Sequence, residues 1–570
     1  MSPFKINKII SDVVVIGGGT AGCRAAADLS SFGFSVTLVE KANIERSGCL
    51  AAGINALNAY VGSGREPGDY AQYALNDAHG LARYDLLLSL SQRLNAQVKY
   101  LEDLGLTIHK NQDGSYAQRG WRNVKINGEN IKPLLAKAAR DSGKVNILER
   151  TAAFSLLTDQ ARAVALVAFS HRDSTLHLIQ AKAFICATGG AAGIYKPNNP
   201  VSAPNQGWYC PFNSGAGLAM GLWAGAEVTT LEMRFVALRC QDSMAPTGSL
   251  ALGAGARQIN RLGQDYEANY GLTTSQRVLA ACKEIEADRG PCLLSAAANR
   301  EERLEIYRSY LNMSPSQTLK WLEHDDPFDK ESQTIWTELS SSEPYVNGGH
   351  TAGGLWVDEN RRSTIKGLWV AGDAAGGAPQ KYATGALAEA EIAALDAADF
   401  LDKSKNGAQP NQETIERLFL SISLKLKSYI GRNKAPLNTL NLDEALWEIM
   451  DRYAGGSGAH YRYSLASLNQ AEQKVSKLAI LADKVMVSNA EKLPRLFELK
   501  EKITIASALI AHMRERRETR WPGFGQYLDY PLIDDSMSVF INSRLVGGRL
   551  KIIHRPLKDF SVNQWLSFWS

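Results

Sequence analysis

Short apolar runs separated by longer periodic stretches organise the chain. Val13-Val14-Val15-Ile16, bounded by Asp12 and glycine, predicts a strand buried on both faces of a parallel sheet. The alanine-rich stretch from Cys23 to Leu29 predicts a helix, and Ser35-Val-Thr-Leu-Val-Glu40 a second buried strand. Between 69 and 106, Leu87, Leu90, Leu94, Val98 and Leu101 recur at helical spacing, and a further helix is expected near 130–142. Asn146-Ile-Leu and the alternating stretches 163–170 and 175–181 predict strands. Ala183-Phe-Ile-Cys186 and Leu368-Trp-Val370 are buried-strand patterns, each running into glycine. The block from 232 to 350 has mixed patterning with charged helices, and beyond 406 helical periodicity covers 413–431, 443–453, 465–487 and 493–518. The tail 554–570 carries two tryptophans.

Glycines add chemistry to this pattern. Gly17, Gly19 and Gly22 stand at G-x-G-x-x-G spacing between the first strand and its helix. The first glycine permits the turn, the second lets backbone approach a pyrophosphate, and the third lets helix pack on strand. Thr20 and Ala21 open that helix, where free N–H groups meet phosphate. Glu40, about 20 residues on, is placed to hold a ribose, with Lys41 beside it. The small-residue segment containing Ser47, Cys49, Ala52, Gly53 and Asn55 can lie flat against a large planar ligand. Downstream, Thr188-Gly189-Gly190 and Gly372-Asp373 repeat the theme of strand, glycine and polar residue. Flavoproteins with two dinucleotide-binding segments look like this. Asp373 would bond the ribitol of FAD. The segment Lys381, Thr384, Gly385 and Ala386 would open a helix whose positive end favours the charge on a reduced flavin.

The expected fold is α/β: a Rossmann-like FAD-binding domain from 1–231 and 351–405, an inserted α+β capping domain at 232–350, and a C-terminal helical domain and tail at 406–570. A net charge of +4 does not argue for nucleic acid. The seven cysteines include no C-x-x-C pair, which argues against a metal or iron–sulfur site in this chain. No apolar run approaches the roughly 18 residues of a membrane span, so a soluble cytoplasmic protein is expected.

Together, Gly17–Gly22, Thr188-Gly-Gly, His350 and Gly372-Asp373 resemble the fumarate reductase/succinate dehydrogenase flavoprotein family. Four details are similar to one branch, the flavoprotein (alpha) subunit of dissimilatory adenylylsulfate reductase. The segment from Gly48 to Asn58 matches it, with Gly48 where other members link the flavin through histidine, which implies non-covalent FAD. Leu252 stands where fumarate reductases carry a proton-donating arginine. Lys381-Tyr-Ala-Thr-Gly385 replaces the fumarate-binding segment. The runs Glu518-Thr-Arg-Trp521-Pro-Gly523, Asp529-Tyr-Pro and Met450-Asp-Arg-Tyr-Ala-Gly-Gly are also close to that branch.

The resemblance implies an FAD-dependent reductase. Reduced flavin N5 would attack the sulfur of adenosine 5′-phosphosulfate, or a related sulfo-anion, and give sulfite and AMP through a flavin–sulfite adduct. Arg239 would hold the sulfate, with Arg234 as an alternative, while Trp208, Asn58, Glu129, Leu252 and His350 would line the pocket. His350 reads equally well as a structural histidine in a Gly-rich turn. Where the branch has Cys-Leu-Arg, this chain reads Cys292-Leu293-Leu294, which removes a charge expected near the substrate phosphate. The alternatives are a fumarate reductase-like enzyme for another small anionic substrate, or an electron-transfer flavoprotein with no substrate of its own. Electrons would come from a ferredoxin-like iron–sulfur beta subunit, in a heterodimer or larger oligomer.

Overall fold

In the computed structural model, residues 3–60, 62, 64–198, 209–241, 255–295, 301, 303–307, 336–404, 411–431 and 438–557 are described. A five-stranded parallel sheet carries the amino-terminal half. Its strands are β1 (Val13–Ile16), β2 (Val36–Val39), β3 (Val145–Leu148), β4 (Ala183–Cys186) and β5 (Leu368–Val370), in spatial order 5-4-1-2-3. Every residue of β1, β2, β4 and β5 is buried, as expected for apolar runs covered on both faces. The chain leaves β1 through helix α1 (Thr20–Ser31) towards β2, then returns to the other side of β1 as β4. The crevice where strand order reverses therefore opens beyond the carboxyl ends of β1 and β4, the usual ligand position in such sheets.

The periodic stretch 69–106 is three helices: α2 (Pro67–Asp77), Tyr84–Ser91 and Leu94–Asp103. A second sheet joins Lys5–Ile10, Thr175–Gln180, Arg162–Ser170 and Thr151–Asp159, so the first strand of the chain pairs with a partner far downstream. In the capping region, strands Leu238–Cys240, Trp336–Ser341, Leu293–Ser295 and Arg257–Ile259 form one sheet, accompanied by helix α3 (Thr274–Glu286). Helix α4 (Tyr382–Lys403) packs along α1, and Ala25, Ala26, Ala390 and Ala393 share a cluster whose small side chains let the two helices approach closely.

The carboxy-terminal region contains helices Gln412–Ser428, Thr439–Tyr453, Leu465–Ala482 and α5 (Leu493–Glu515), close to their expected positions. It is not purely helical. Strands Val539–Val546 and Arg549–Pro556 form a hairpin, closed by Gly547 and Gly548 at φ +57° and +77°, the combination that two-residue hairpin turns need. The hairpin adds to Val228–Thr229 and Gly354–Leu355, the segments that flank the capping region. The tryptophans of the tail lie outside the described residues. Among the described residues, no helix is long and apolar enough to cross a membrane.

Candidate functional site

The crevice is lined first by backbone. Gly17 adopts φ +98°, and a Cβ there would lie 2.5 Å from the Ala187 carbonyl oxygen at the end of β4. A Cβ on Gly22 would lie 1.8 Å from the Gly17 carbonyl oxygen, so only glycine lets α1 begin this close to its own turn. At Gly19 a Cβ would meet nothing within 4 Å, and no side chain caps α1. A helix amino terminus thus faces open space with N–H groups to offer, a fit for pyrophosphate. Buried Glu40 accepts from Gly18 N–H and from Ala42 N–H, each at 2.7 Å. These bonds lock the carboxylate at the end of β2, and each oxygen keeps a further lone pair for a ribose. Ser47 closes on the Gly18 carbonyl at 3.4 Å. Lys41 turns elsewhere: its ammonium donates to the Phe212 carbonyl and pairs with Glu498 at 3.1 Å.

Thr188-Gly189-Gly190 and Gly372-Asp373 close the other side. A Cβ on Gly190 would meet the Asn347 carbonyl oxygen at 1.8 Å. Asn347 in turn donates its amide to the Asp373 carbonyl at 2.6 Å, which ties the two segments together. The Asp373 carboxylate accepts from the Tyr209 hydroxyl at 2.7 Å, and Cys49 donates to the same hydroxyl. Burial raises the Asp373 carboxyl above the ordinary range, with the Tyr209 bond opposing. Burial likewise pushes the Cys49 thiol up to about 12, so it is a thiol and not a nucleophilic thiolate. Gly53 adopts φ +79°, and a Cβ there would lie 3.0 Å from Glu129 Cα, so the exposed Glu129 sits at the edge of the small-residue segment that also holds Ala52 and Asn55. The Thr384 hydroxyl donates to the Asn58 carbonyl at 2.6 Å, while the Asn58 amide reaches Asn123 at 3.2 Å. Gly385 and Ala386 complete the first turns of α4 in the same place.

Lys381 is buried. It donates to the Gly372 carbonyl at 2.8 Å and to that of Ala375, and pairs with Glu389 at 3.2 Å. Burial lowers its ammonium, while Glu389 and Asp373 oppose the shift. Its role in the geometry is to hold the glycine turn before Asp373 from behind. Its own N–H donates to the Gly349 carbonyl at 3.0 Å, so the turn before α4 rests on the Gly-rich turn that carries His350. His350 Nδ1 and the Tyr345 hydroxyl are 2.7 Å apart. The His350 ring lies on Phe235 at 4.0 Å and meets the edge of Tyr382 at 4.9 Å. Burial pulls His350 down to about 4, so it is a neutral imidazole at physiological pH.

The two arginines of the 232–239 segment separate. Buried Arg234 donates to the Tyr195 hydroxyl at 2.6 Å and to the carbonyls of Ala454, Gly455 and Phe524 at 2.7 to 2.8 Å. It joins this segment to the C-terminal region. Arg239, fully buried, stands four residues beyond Phe235 and donates to the Asn198 carbonyl. Pairing sets Arg239 opposite Ser340, Cys240 opposite Leu339 and Leu294 opposite Thr337. Strand alternation therefore puts Leu294 and Cys240 on one face of the capping sheet and Arg239 on the other. Leu294 is 3% exposed and packs in the same core as Cys240 and Leu339. This side chain fills the core of the cap. Trp208 and Leu252 lie outside the described residues.

Sequence reasoning missed Tyr209, Phe235, Tyr345 and Asn347. Phe235 and Tyr345 were within reach, since each is a few residues from a residue singled out. Tyr209, the neighbour of Trp208, shows its role only through its bond to Asp373, 164 residues further along the chain.

Residues 12–386 match the FAD binding domain family. The adenylylsulfate reductase subunit alpha of Megalodesulfovibrio gigas is 27% identical over 96% of this chain and 95% of its own length. The solved adenylylsulfate reductase of Archaeoglobus fulgidus superposes with a TM-score of 0.88 at 30% identity, covering 98% of this chain and 97% of that one. A second solved structure, an adenosine-5-phosphosulfate reductase in complex with sulfite as a covalent adduct, gives a TM-score of 0.88 at 29% identity, with 98% and 97% covered.

Proposed function

Since the chain belongs to the FAD binding domain family, we propose that it is the flavoprotein subunit of an adenylylsulfate reductase-type enzyme, using non-covalent FAD to reduce adenosine 5′-phosphosulfate to sulfite and AMP. The observation that carries this reading is the likeness to adenylylsulfate reductases from end to end, at 30% identity and a TM-score of 0.88 with 98% of the chain covered.

FAD, when bound, supplies two electrons to the sulfur. The chain's own residues handle charge and position. Glu40, Gly18 and the uncapped α1 terminus would hold the ribose and pyrophosphate, and Asp373 the ribitol. Arg239 would hold the sulfuryl oxygens; it is buried, where a guanidinium's attraction for an anion is little screened. His350 is neutral and aromatic-packed, so it can donate or accept a hydrogen bond without adding charge. Its ring, with Phe235 and Tyr382, would keep water from the reacting face.

No group of three or more His, Cys, Asp or Glu suited to a metal occurs among the described residues. In this reading a ferredoxin-like iron–sulfur beta subunit would be the electron source, and the complex would work in the cytoplasm. The test is optical. Sulfite and AMP added to FAD-loaded protein should bleach the oxidised flavin absorbance. A loaded protein whose spectrum stays unchanged at millimolar sulfite overturns the reading, and reduction of fumarate by a viologen donor would replace it with the fumarate reductase alternative.

A further inference from the structure

Asp77, the last residue of α2, belongs to the FAD-binding part of the chain but holds a residue of the cap. It is 5% exposed, and one carboxylate oxygen accepts from the Thr274 N–H at 2.9 Å and from the Thr274 hydroxyl at 3.0 Å. Thr274 is the first residue of α3, so the charge of Asp77 sits where the helix dipole favours an anion. The other oxygen accepts from the Gln380 side-chain amide at 2.5 Å. Gln380 leads into the turn before α4.

That turn is held against its own preference. Gln380 and Tyr382 adopt φ of +62° and +52°, in the left-handed region that non-glycine residues rarely enter. Three contacts fix Gln380: Asp77 on its amide nitrogen, the Tyr382 hydroxyl on its amide oxygen, and the Tyr70 hydroxyl on its carbonyl at 2.8 Å. Tyr382 meets the His350 ring edge-on at 4.9 Å, and Lys381 between them bonds Gly349 and Gly372. One carboxylate thus spans the root of the cap helix and the strained turn that faces the flavin side of the site.

We propose that Asp77 is a positioning residue that couples the seating of the capping domain to the Gln380–Tyr382 turn, so that a shift of α3 is felt at Tyr382 and His350. The C-terminal region reinforces the same junction. Gly523 N–H donates to the Ser275 hydroxyl at 3.1 Å, and the Trp521 indole N–H to the Ala78 carbonyl at 3.0 Å. The cap is therefore anchored beside Asp77 rather than at a free edge, and one carboxylate accepts from both Thr274 and Gln380.

The test uses FAD-loaded protein and no sulfur substrate, so its outcome is independent of which reaction the enzyme performs. Asp77→Asn should speed tryptic cleavage within residues 232–350 about tenfold, the size of a broken buried coupling. At unchanged FAD content it should also shift the visible absorption and reduction potential of the bound flavin. Gln380→Met should reproduce the flavin shift, and Thr274→Val the faster cleavage. Combining Asp77→Asn with Gln380→Met should add nothing to the flavin shift of either alone. Faster cleavage with spectrum and potential as in the unaltered protein overturns the proposal, as does an additive double variant. Should Asp77→Asn fail to fold, Thr274→Val decides: faster cleavage with an unshifted flavin spectrum and potential overturns the coupling.

Discussion

The two sides of the crevice are built from different materials. At Gly17, Gly22 and Gly190, position is set by backbone contacts so close that a single methyl group would collide with a carbonyl oxygen. Around His350, Phe235, Tyr382 and Arg239, position is set by stacked rings and buried charges brought from distant segments. The first side specifies a cofactor that many chains share. The second is made of individual side chains, and exchanging such side chains is how one FAD scaffold can serve different substrates.

The sharpest way to break the backbone side is Gly22→Val. Its Cβ would lie within 1.8 Å of a carbonyl oxygen, so α1 must move. The purified protein should carry no FAD, read from the visible spectrum, and lose several kcal/mol of stability in urea unfolding. Next comes Lys381→Met, which leaves Glu389 with Arg361 alone at 3.2 Å and removes the donor from the Gly372 carbonyl. Breaking such a buried arrangement costs about 3–5 kcal/mol, measured as a lower urea midpoint. Arg239→Ala tests the other side. FAD content should stay near that of the unaltered protein while turnover of adenosine 5′-phosphosulfate falls about 10²- to 10³-fold. An equal loss of FAD would show that the two sides are not separable. The smallest effect is on pH dependence. His350 titrates near 4 when folded against 6.5 as a free imidazole, so the unfolded chain binds the extra proton between those values. Stability should then rise from pH 4 to 6.5 and level off above, and His350→Gln should flatten that rise in pH-resolved unfolding.

The contrast also governs what could be read from the sequence. β1, α1, β2 and their glycines are legible because one local pattern determines strand, turn and helix together. The small-residue segment and Asp373 follow from the same logic, and resemblance supplied Arg239 and His350. Lys381 is expected to open the flavin-side helix, and its ammonium bonds Gly372, Ala375 and Glu389, a buried arrangement that no local pattern announces. Tyr209, Asn347 and Asp77 act through partners on other segments, so their roles are invisible until the chain is folded. The C-terminal hairpin was hidden differently. Gly547-Gly548 is a turn signal, but the helices before it dominated the reading of that region.

That hairpin carries a consequence for how the protein is made. Its first strand pairs with Thr229 and Val228, next to the start of the cap, and through them with Gly354 and Leu355 at its end. Emerging from the ribosome, the nucleotide turn, the cap and both of its flanks exist for a long interval before the segment that clasps them has been synthesised. The amino-terminal sheet can form early, but the cap gains its final anchorage only when residues 539–556 arrive. A ribosome-stalled chain ending before the hairpin should therefore present an ordered sheet beneath an unclasped cap, and secure FAD retention should be among the last events of biosynthesis.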